Sequence, residues 1–532
     1  MTTTAAPPRT ASPYTGVPQL IRLALRRDRV RLSVWISVLT LMMVYAPNAV
    51  KLAYPDEPQR LARVNLMKTP AAIIMGGPMF GIRETELGAM MANELMLTLI
   101  VAASILSILT VIRHTRAEEE SGAAELVLSS VVGRYARTTA ALILVGAVNA
   151  VLTVTMTLAM SAAGFRFVDT LAMCLGVTAV SALFGAVAAV TAQLWRQART
   201  ATGAAMAVLA LAALVRGIGD VIDNSGSALS WFSPIAWAQQ MRAFVALRWW
   251  PLVLLVAVTV ALVALAAYLE NRRQYDDGTL PSTGDRPDAP AIRGVLGLHL
   301  TLQRGLTVGW GVGLFLGGLA FGSMTKSLID AAETNELLAR VLAVQGNDGV
   351  YTTMTQFLAA AACAYVVSAV LRVYADELSG TGEAVLAGAV SRWRWLLSAV
   401  AAAMLGATLL MVGAGLGNGL GAGLTLGEPA TIVKLTVAGL AFVPALAVVA
   451  GVAALAVAVR RPWVAWAAVT FIVVSLYLGA LLRLPQWLLD ASPVGQTTAP
   501  TDYPVSALVV MCVVAAAFTA VAGSLYRGRD AV

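Results

Sequence analysis

Twelve stretches of this chain are apolar runs of about 20 residues or more, near 32–50, 88–112, 138–163, 168–194, 200–220, 250–269, 306–325, 351–372, 395–417, 432–459, 463–482 and 505–524. A run of that length crosses the roughly 30 Å hydrocarbon core of a bilayer as an α-helix. In lipid every backbone N–H and C=O must find its partner inside the protein, so only helices and closed barrels can span. Continuous rather than alternating apolar content selects helices. Composition agrees: charged residues are 12% of the chain, against about 25% in soluble domains. The net charge of +8 does not indicate nucleic acid, because the basic residues are dispersed between apolar runs. Cys174, Cys363 and Cys512 all fall inside those runs, with no metal-ligand spacing.

An even number of spans puts both chain ends on one side. With the N-terminus inside, the cytoplasmic segments carry 24 of the 37 lysines and arginines, so the positive-inside rule gives both termini to the cytoplasm. Residues 1–18, rich in Thr, Pro and Ala, are expected to be a disordered tail rather than a cleavable signal. The two halves, 19–269 and 298–532, are joined by a polar linker at 270–297 that is rich in Pro, Gly and Asp.

The halves repeat one another. Residues 117–134 read AEEESGAAELVLSSVVGR and residues 375–392 read ADELSGTGEAVLAGAVSR, with nine of eighteen positions identical. The segments LALRRDRVRLSVW at 23–35 and LHLTLQRGLTVGW at 298–310 also match, as do Ser233-Pro234 and Ser492-Pro493. The fold class expected is an all-α polytopic membrane protein. Its twelve transmembrane helices would form two parallel six-helix repeats related by a pseudo-two-fold along the membrane normal. Each half would run as an amphipathic approach helix, a span, a long outer segment, a span, a charged inner loop and four more spans. In both inner loops a Gly permits a turn that a bulkier residue resists. A short amphipathic helix would follow, with its acidic residues and Ser facing water or a partner. Topology alone needs positive charge and gains little from Asp or Glu, yet acidic residues are among those matched.

The pattern E-x-[ST]-G-x-x-E-x-x-L, a small-residue step and then Arg resembles the signature of type 2 export permeases of ABC transporters. A single chain with two such halves is similar to the fused twelve-span actinobacterial exporters of polyketide antibiotics, the tetronasin type. The resemblance implies that both loops couple to two copies of a cytoplasmic ABC ATPase. It carries Glu119, Ser121, Gly122, Glu125 and Arg134 in one loop and Glu377, Ser379, Gly380, Glu383 and Arg392 in the other. It also implies that ATP and Mg²⁺ bind the partner ATPase and that this chain binds no cofactor.

A P-loop needs Gly-Lys-Ser/Thr, and none of Lys51, Lys68, Lys326 and Lys434 follows a Gly. This chain is therefore expected to be a permease rather than an enzyme, without catalytic or metal-binding residues. A proton-coupled drug carrier of the major facilitator type also has six plus six spans. It usually needs ionisable residues within the bundle, and Glu94 is the one clear mid-span candidate. An ATP-driven exporter of lipids or glycans has the same architecture and stays open. Met90, Met91 and Met96 beside Glu94 are candidates to line a substrate cavity, since Met adapts to many shapes; ordinary helix packing competes with that reading. Gly76, Gly77, Pro78 and Phe80 are candidates for an outer gate, against a plain turn.

Overall fold

The computed structural model describes residues 12–53, 56–57, 60, 64, 67, 70–78, 80–81, 86–122, 132–223, 226–273, 278–279, 294–334, 347–388, 390–479 and 484–528. Contacts divide the chain into two compact units, Met1–Pro287 and Asp288–Val532. Among the described residues there is no strand. Also among the described residues, eleven helices are long and apolar enough to cross a membrane.

The first unit holds α1 (Val17–Ala53), α2 (Pro70–Gly76), α3 (Leu87–His114), α4 (Arg116–Glu120), α5 (Ala136–Ala162), α6 (Phe167–Leu194), α7 (Ala198–Ile222), α8 (Pro234–Gln239) and α9 (Trp250–Arg272). The expected approach helix and first span are one continuous rod of 37 residues, α1. No glycine lies within it, and its only internal proline is Pro47, so nothing interrupts the ladder earlier. Leu32, Leu39, Met43, Ala46 and Val50 form its buried face, while Val30, Val34, Val38 and Leu41 are exposed. In water that apolar row would be a liability; in a bilayer it is the lipid face. Residues 12–18, placed in a structureless tail by composition, are docked: Gly133 and Tyr135 donate backbone hydrogen bonds to Thr15 and Pro13 at 2.9 and 3.0 Å. Val17 is buried there against Ala136 and Ala140.

At the centre of this unit is α6, which packs on α3, α5, α7 and α9. Lipid tails are as apolar as Leu, so helices in a membrane associate through close packing and hydrogen bonds. Both operate here. Ser107 and Ser181 hydroxyls lie 2.8 Å apart, Asn149 donates to Ser107 at 3.2 Å, and Thr153 and Thr178 meet at 2.7 Å. These contacts stitch α3, α5 and α6 through the bundle interior.

The second unit holds α10 (Gly294–Thr334), α11 (Asn347–Val370), α12 (Arg372–Leu378), α13 (Thr381–Leu386), α14 (Arg392–Leu426), α15 (Ala430–Leu440), α16 (Val443–Ala458), α17 (Trp463–Leu478), α18 (Gln486–Asp490) and α19 (Val505–Arg527). Here α16 packs on α11, α14, α17 and α19, the same set of neighbours in the same chain order as α6. The run expected to be one span at 432–459 is a single membrane-crossing stretch, Ala430–Ala458, with a turn at 441–442 between α15 and α16. Pro444 at the start of α16 has no N–H, and its ring would clash with the carbonyl four residues back. With only 16 residues, α17 is shorter than the span expected at 463–482; residues 480–482 lie outside the described residues.

The tightest seam in this unit joins α10 to α14. A Cβ on Gly318 would lie 2.3 Å from the Ala414 carbonyl oxygen, and one on Gly421 would lie 2.4 Å from that of Leu319. The two backbones therefore touch along a row of glycines spaced four apart, and only the absent side chains permit it.

Candidate functional site

The matched loop of the first unit begins where α3 ends. At Thr115 the backbone leaves the helix (φ −121, ψ −85), and the Thr115 hydroxyl donates to the Val111 carbonyl at 2.7 Å. The chain restarts as the single turn α4, which carries three consecutive glutamates. Each reaches a different neighbour. Glu118 accepts from Arg27 of α1 at 3.1 Å and lies 3.3 Å from His114 Nδ1. His114 Nε2 in turn lies 2.9 Å from Asp28 of α1, which also takes Arg113 at 3.0 Å. Glu119 is 5% exposed. It pairs with Arg116 of its own turn, with Arg137 of α5, and with Arg273 just past α9 at 2.6 and 2.9 Å. Glu120 accepts the backbone N–H of Ala198, the first residue of α7, at 2.9 Å. A carboxylate at a helix N-terminus meets its unpaired N–H groups and the positive end of its dipole.

The cradle closes on itself. Arg116 donates to the Trp195 carbonyl at 2.8 Å, and Arg273 donates to Gln193 at the end of α6. Buried Glu270 accepts from Thr138 at 3.0 Å. Arg134 donates to the carbonyls of Glu270 and Asn271, both at 2.8 Å, and so caps the end of α9.

Several matched letters now have a local cause. The Ser121 hydroxyl donates to the carbonyl of Glu118, and that of Ser379 to the carbonyl of Asp376, each three residues back, at 3.3 and 3.2 Å. Gly122 and Gly380 both take φ +73°, the left-handed region that ends a helical turn. Glu119, ahead of the glycine, faces inward, enclosed by three guanidinium groups. Glu125 lies outside the described residues.

The second loop has the same Ser-Gly turn and a different setting. With the 258-residue offset, Tyr374 stands for Arg116, Trp395 for Arg137 and Leu378 for Glu120. Trp395 lies against the buried His299 ring, centroids 4.3 Å apart. Arg372 takes the place of His114, 3.9 Å from Asp376. Glu377 is half-buried. Leu378 is 73% exposed, and Ser379, Gly380, Thr381 and Glu383 are exposed with it. The short helix expected after the glycine is α13, six residues long. Arg392 opens α14, where the Ser391 hydroxyl accepts the N–H of Arg394 at 3.3 Å.

At the opposite end of the first unit, the gate candidates are docked rather than free. Gln239 donates to the Gly76 carbonyl at 2.9 Å and packs on Gly77, where its atoms occupy the space of a Cβ. Asn93 donates to the Phe80 carbonyl at 3.2 Å, and the Arg242 guanidinium sits 4.1 Å over the Phe80 ring. Pro78, Phe80, Asn93, Met96 and Gln239 surround a void of about 20 Å³, room for one water. Met90 and Met91 are fully buried in the apolar core of the unit, with Met96 close by, and Glu94 is half-buried. Arg216 and Asp220, both buried, pair 3.5 Å apart on α7. Arg216 donates to the Ile73 carbonyl of α2 at 3.4 Å, and Asp220 accepts from Ser230 at 2.6 Å.

Sequence reasoning did not single out Asp28, His114, Glu118, Glu120, Arg137 or Arg273. Their partners lie 18 to 154 residues away along the chain, except within the i,i+4 pair of His114 and Glu118 and the i,i+3 pair of Asp28 and Arg31. The run of three glutamates next to a basic helix end was the one visible signal.

Together these features define a multi-pass all-α membrane protein of the permease type. Residues 292–527 match the family model described as "Multidrug efflux system permease Rv1217c, C-terminal domain". Across 543 aligned positions the chain is 35% identical to the "Multidrug efflux system permease protein Rv1217c" of Mycobacterium tuberculosis (strain ATCC 25618 / H37Rv), covering 98% of this chain and 96% of that protein. The chain belongs to this family of ABC-type multidrug efflux permeases.

Proposed function

We propose that this chain is the transmembrane subunit of an ATP-driven exporter that moves hydrophobic or amphipathic small molecules, antibiotics and other drugs among them, out of the cell. It is worked by two copies of a separate cytoplasmic ABC ATPase, which bind the ATP and Mg²⁺. The relative's name supplies the multidrug cargo. The missing Gly-Lys-Ser/Thr step assigns hydrolysis to a partner. In this reading the twelve apolar runs are twelve spans in two parallel halves, α17 among them, with both termini and both matched loops in the cytoplasm.

The observation that carries the reading is the reach of Glu118, Glu119 and Glu120. One turn of helix is tied by charged contacts of 2.6–3.1 Å to α1, to the N-terminal end of α7 and to the residue just past α9, and by Glu119 to α5. A push on α4 therefore reaches four helices at once. Force on a turn so tied moves rigid helices as bodies rather than being absorbed locally. In the second loop the exposed face of α13 and Leu378 supplies a surface for an ATPase.

The test is reconstitution into proteoliposomes with the cognate ATPase. The exposed substitutions Leu378→Arg and Glu383→Arg together should lower drug-stimulated ATP hydrolysis and transport by roughly tenfold, the effect of losing one interface hot spot, while circular dichroism stays unchanged. Full transport by that double variant would overturn the coupling role of the second loop.

A further inference from the structure

At the end of the first unit away from α4, a cleft of about 320 Å³ opens between α1, α3, the α5–α6 turn and the loop after α8. That volume lies in the range of small-molecule sites. Its walls include Lys51, Glu86, Gly88, Phe165, Arg166 and Phe244. None of these residues belongs to the coupling loops or to the gate candidates.

The apolar floor is built under constraint. Phe244 is a bulky residue at φ +65°, in the left-handed region, and Arg242 beside it is at φ +52°. Such strain persists only where the surroundings impose it, and it concentrates at ligand sites. Here the first turn of α6 and Arg166 just before it impose it from both sides of one residue. Asp169 accepts the Phe244 N–H at 2.8 Å, and Arg166 donates to the Phe244 carbonyl at 3.2 Å. The ring then lies edge-on to Phe165, centroids 6.1 Å apart. A Cβ on Gly88 would lie 2.4 Å from that ring, so the residue at 88 must be small for the floor to form.

The rim is charged. Arg166 pairs with Asp169 at 3.2 Å and loosely with Glu86 at 3.8 Å. Lys51 makes no ion pair among the described residues and is exposed at the mouth. The first turns of α3 and α6 also start at the cleft, and neither has a side-chain cap, which adds positive potential from unpaired N–H groups. An apolar aromatic floor beneath a rim that carries Lys51 and Arg166 suits a molecule with an anionic head and an apolar body. Glu86 and Asp169, both paired with Arg166, oppose it, so Lys51 contributes most of the attraction.

We propose that this cleft binds an anionic amphiphile, its carboxylate or phosphate against Lys51 and Arg166 and its apolar body over Phe165 and Phe244. The site goes beyond the export reading and needs no ATPase, so its failure would leave that reading untouched. The experiment uses the full chain in phosphatidylcholine nanodiscs, titrated with 11-(dansylamino)undecanoic acid and with the methyl ester of the same compound. The acid should bind more tightly than the ester. Lys51→Gln should weaken acid binding about three- to fivefold and Glu86→Gln should tighten it by a similar factor, as expected for single exposed charges. Ester binding should stay unchanged in both variants. Phe165→Ala should weaken acid and ester alike. A gain of affinity in Glu86→Gln cannot come from misfolding. Equal binding of acid and ester, or weaker acid binding in Glu86→Gln, would overturn the proposal. Replacing part of the phosphatidylcholine with phosphatidylglycerol separates the sources: competition assigns the site to a lipid headgroup, and its absence assigns it to a diffusible amphiphile.

Discussion

Glu119 and Glu377 are the same letter in the same repeat, and their surroundings give them different work. Three guanidinium groups enclose Glu119, at 5% exposure, whereas two of the arginine positions around Glu377 are Tyr374 and Trp395. Breaking a buried charge network by removing one member leaves the others uncompensated and costs about 3–5 kcal/mol. A carboxylate that water still reaches contributes about 0–1 kcal/mol. Glu119→Gln should therefore lower the thermal unfolding midpoint of the detergent-purified chain clearly, and Glu377→Gln should barely move it. Equal shifts would refute the difference drawn between the loops. At this scale the sequence was a partial guide. It marked Glu119, Ser121 and Gly122 by repetition, and the roles of Ser121 and Gly122 in closing a turn follow from their chemistry. It could not show that Glu119 faces inward, because Arg137 and Arg273 lie 18 and 154 residues away and come to it only through the packing of α5 and α9.

The helices themselves were largely readable, since an apolar run of span length has one stable solution in lipid. Among the described residues eleven of the runs named from the sequence fall in helices long enough to cross a membrane, and the run at 463–482 falls in the shorter α17. The approach segment merged with its span because no glycine or early proline stops α1, and Pro444 puts a turn into the single stretch Ala430–Ala458. Pair packing was less readable. Gly313, Gly317, Gly318 and Gly322 look alike in the sequence of α10, yet only some touch another backbone. A Cβ on Gly318 would meet the Ala414 carbonyl at 2.3 Å, while one on Gly313 meets nothing within 4 Å. Gly318→Ala should force α10 and α14 apart and destabilise the chain by about 1–3 kcal/mol, the usual cost of overpacking. Gly313→Ala should be neutral or stabilise by up to about 1 kcal/mol, because Ala is the better helix former. Thermal unfolding of the two variants in the same detergent checks the pair, and a milder effect at 318 than at 313 would contradict the close seam.

At the scale of the molecule, α6 and α16 pack on corresponding sets of neighbours within their own units, as expected if one six-helix plan was used twice. Parallel and inverted duplications make opposite demands on the loops. In a parallel pair Ser121 and Ser379 lie on the same side of the membrane; in an inverted pair they lie on opposite sides. In the proposed twelve-span layout 24 of 37 basic residues would lie on the side of both termini, a bias that supports the first arrangement. Both serines are exposed, so each can be replaced by cysteine and read with a membrane-impermeant maleimide. The background must lack Cys174, Cys363 and Cys512, of which Cys512 is exposed. Ser121→Cys and Ser379→Cys should label in inside-out vesicles and stay unlabelled in intact cells. Ala163→Cys, exposed on the turn between α5 and α6 at the other end of the first unit, should show the reverse. Labelling of the two serine positions from opposite faces would exclude the parallel arrangement. It would also remove the two-loop ATPase model, because two copies of one cytoplasmic motor can reach both loops only if both loops face the cytoplasm.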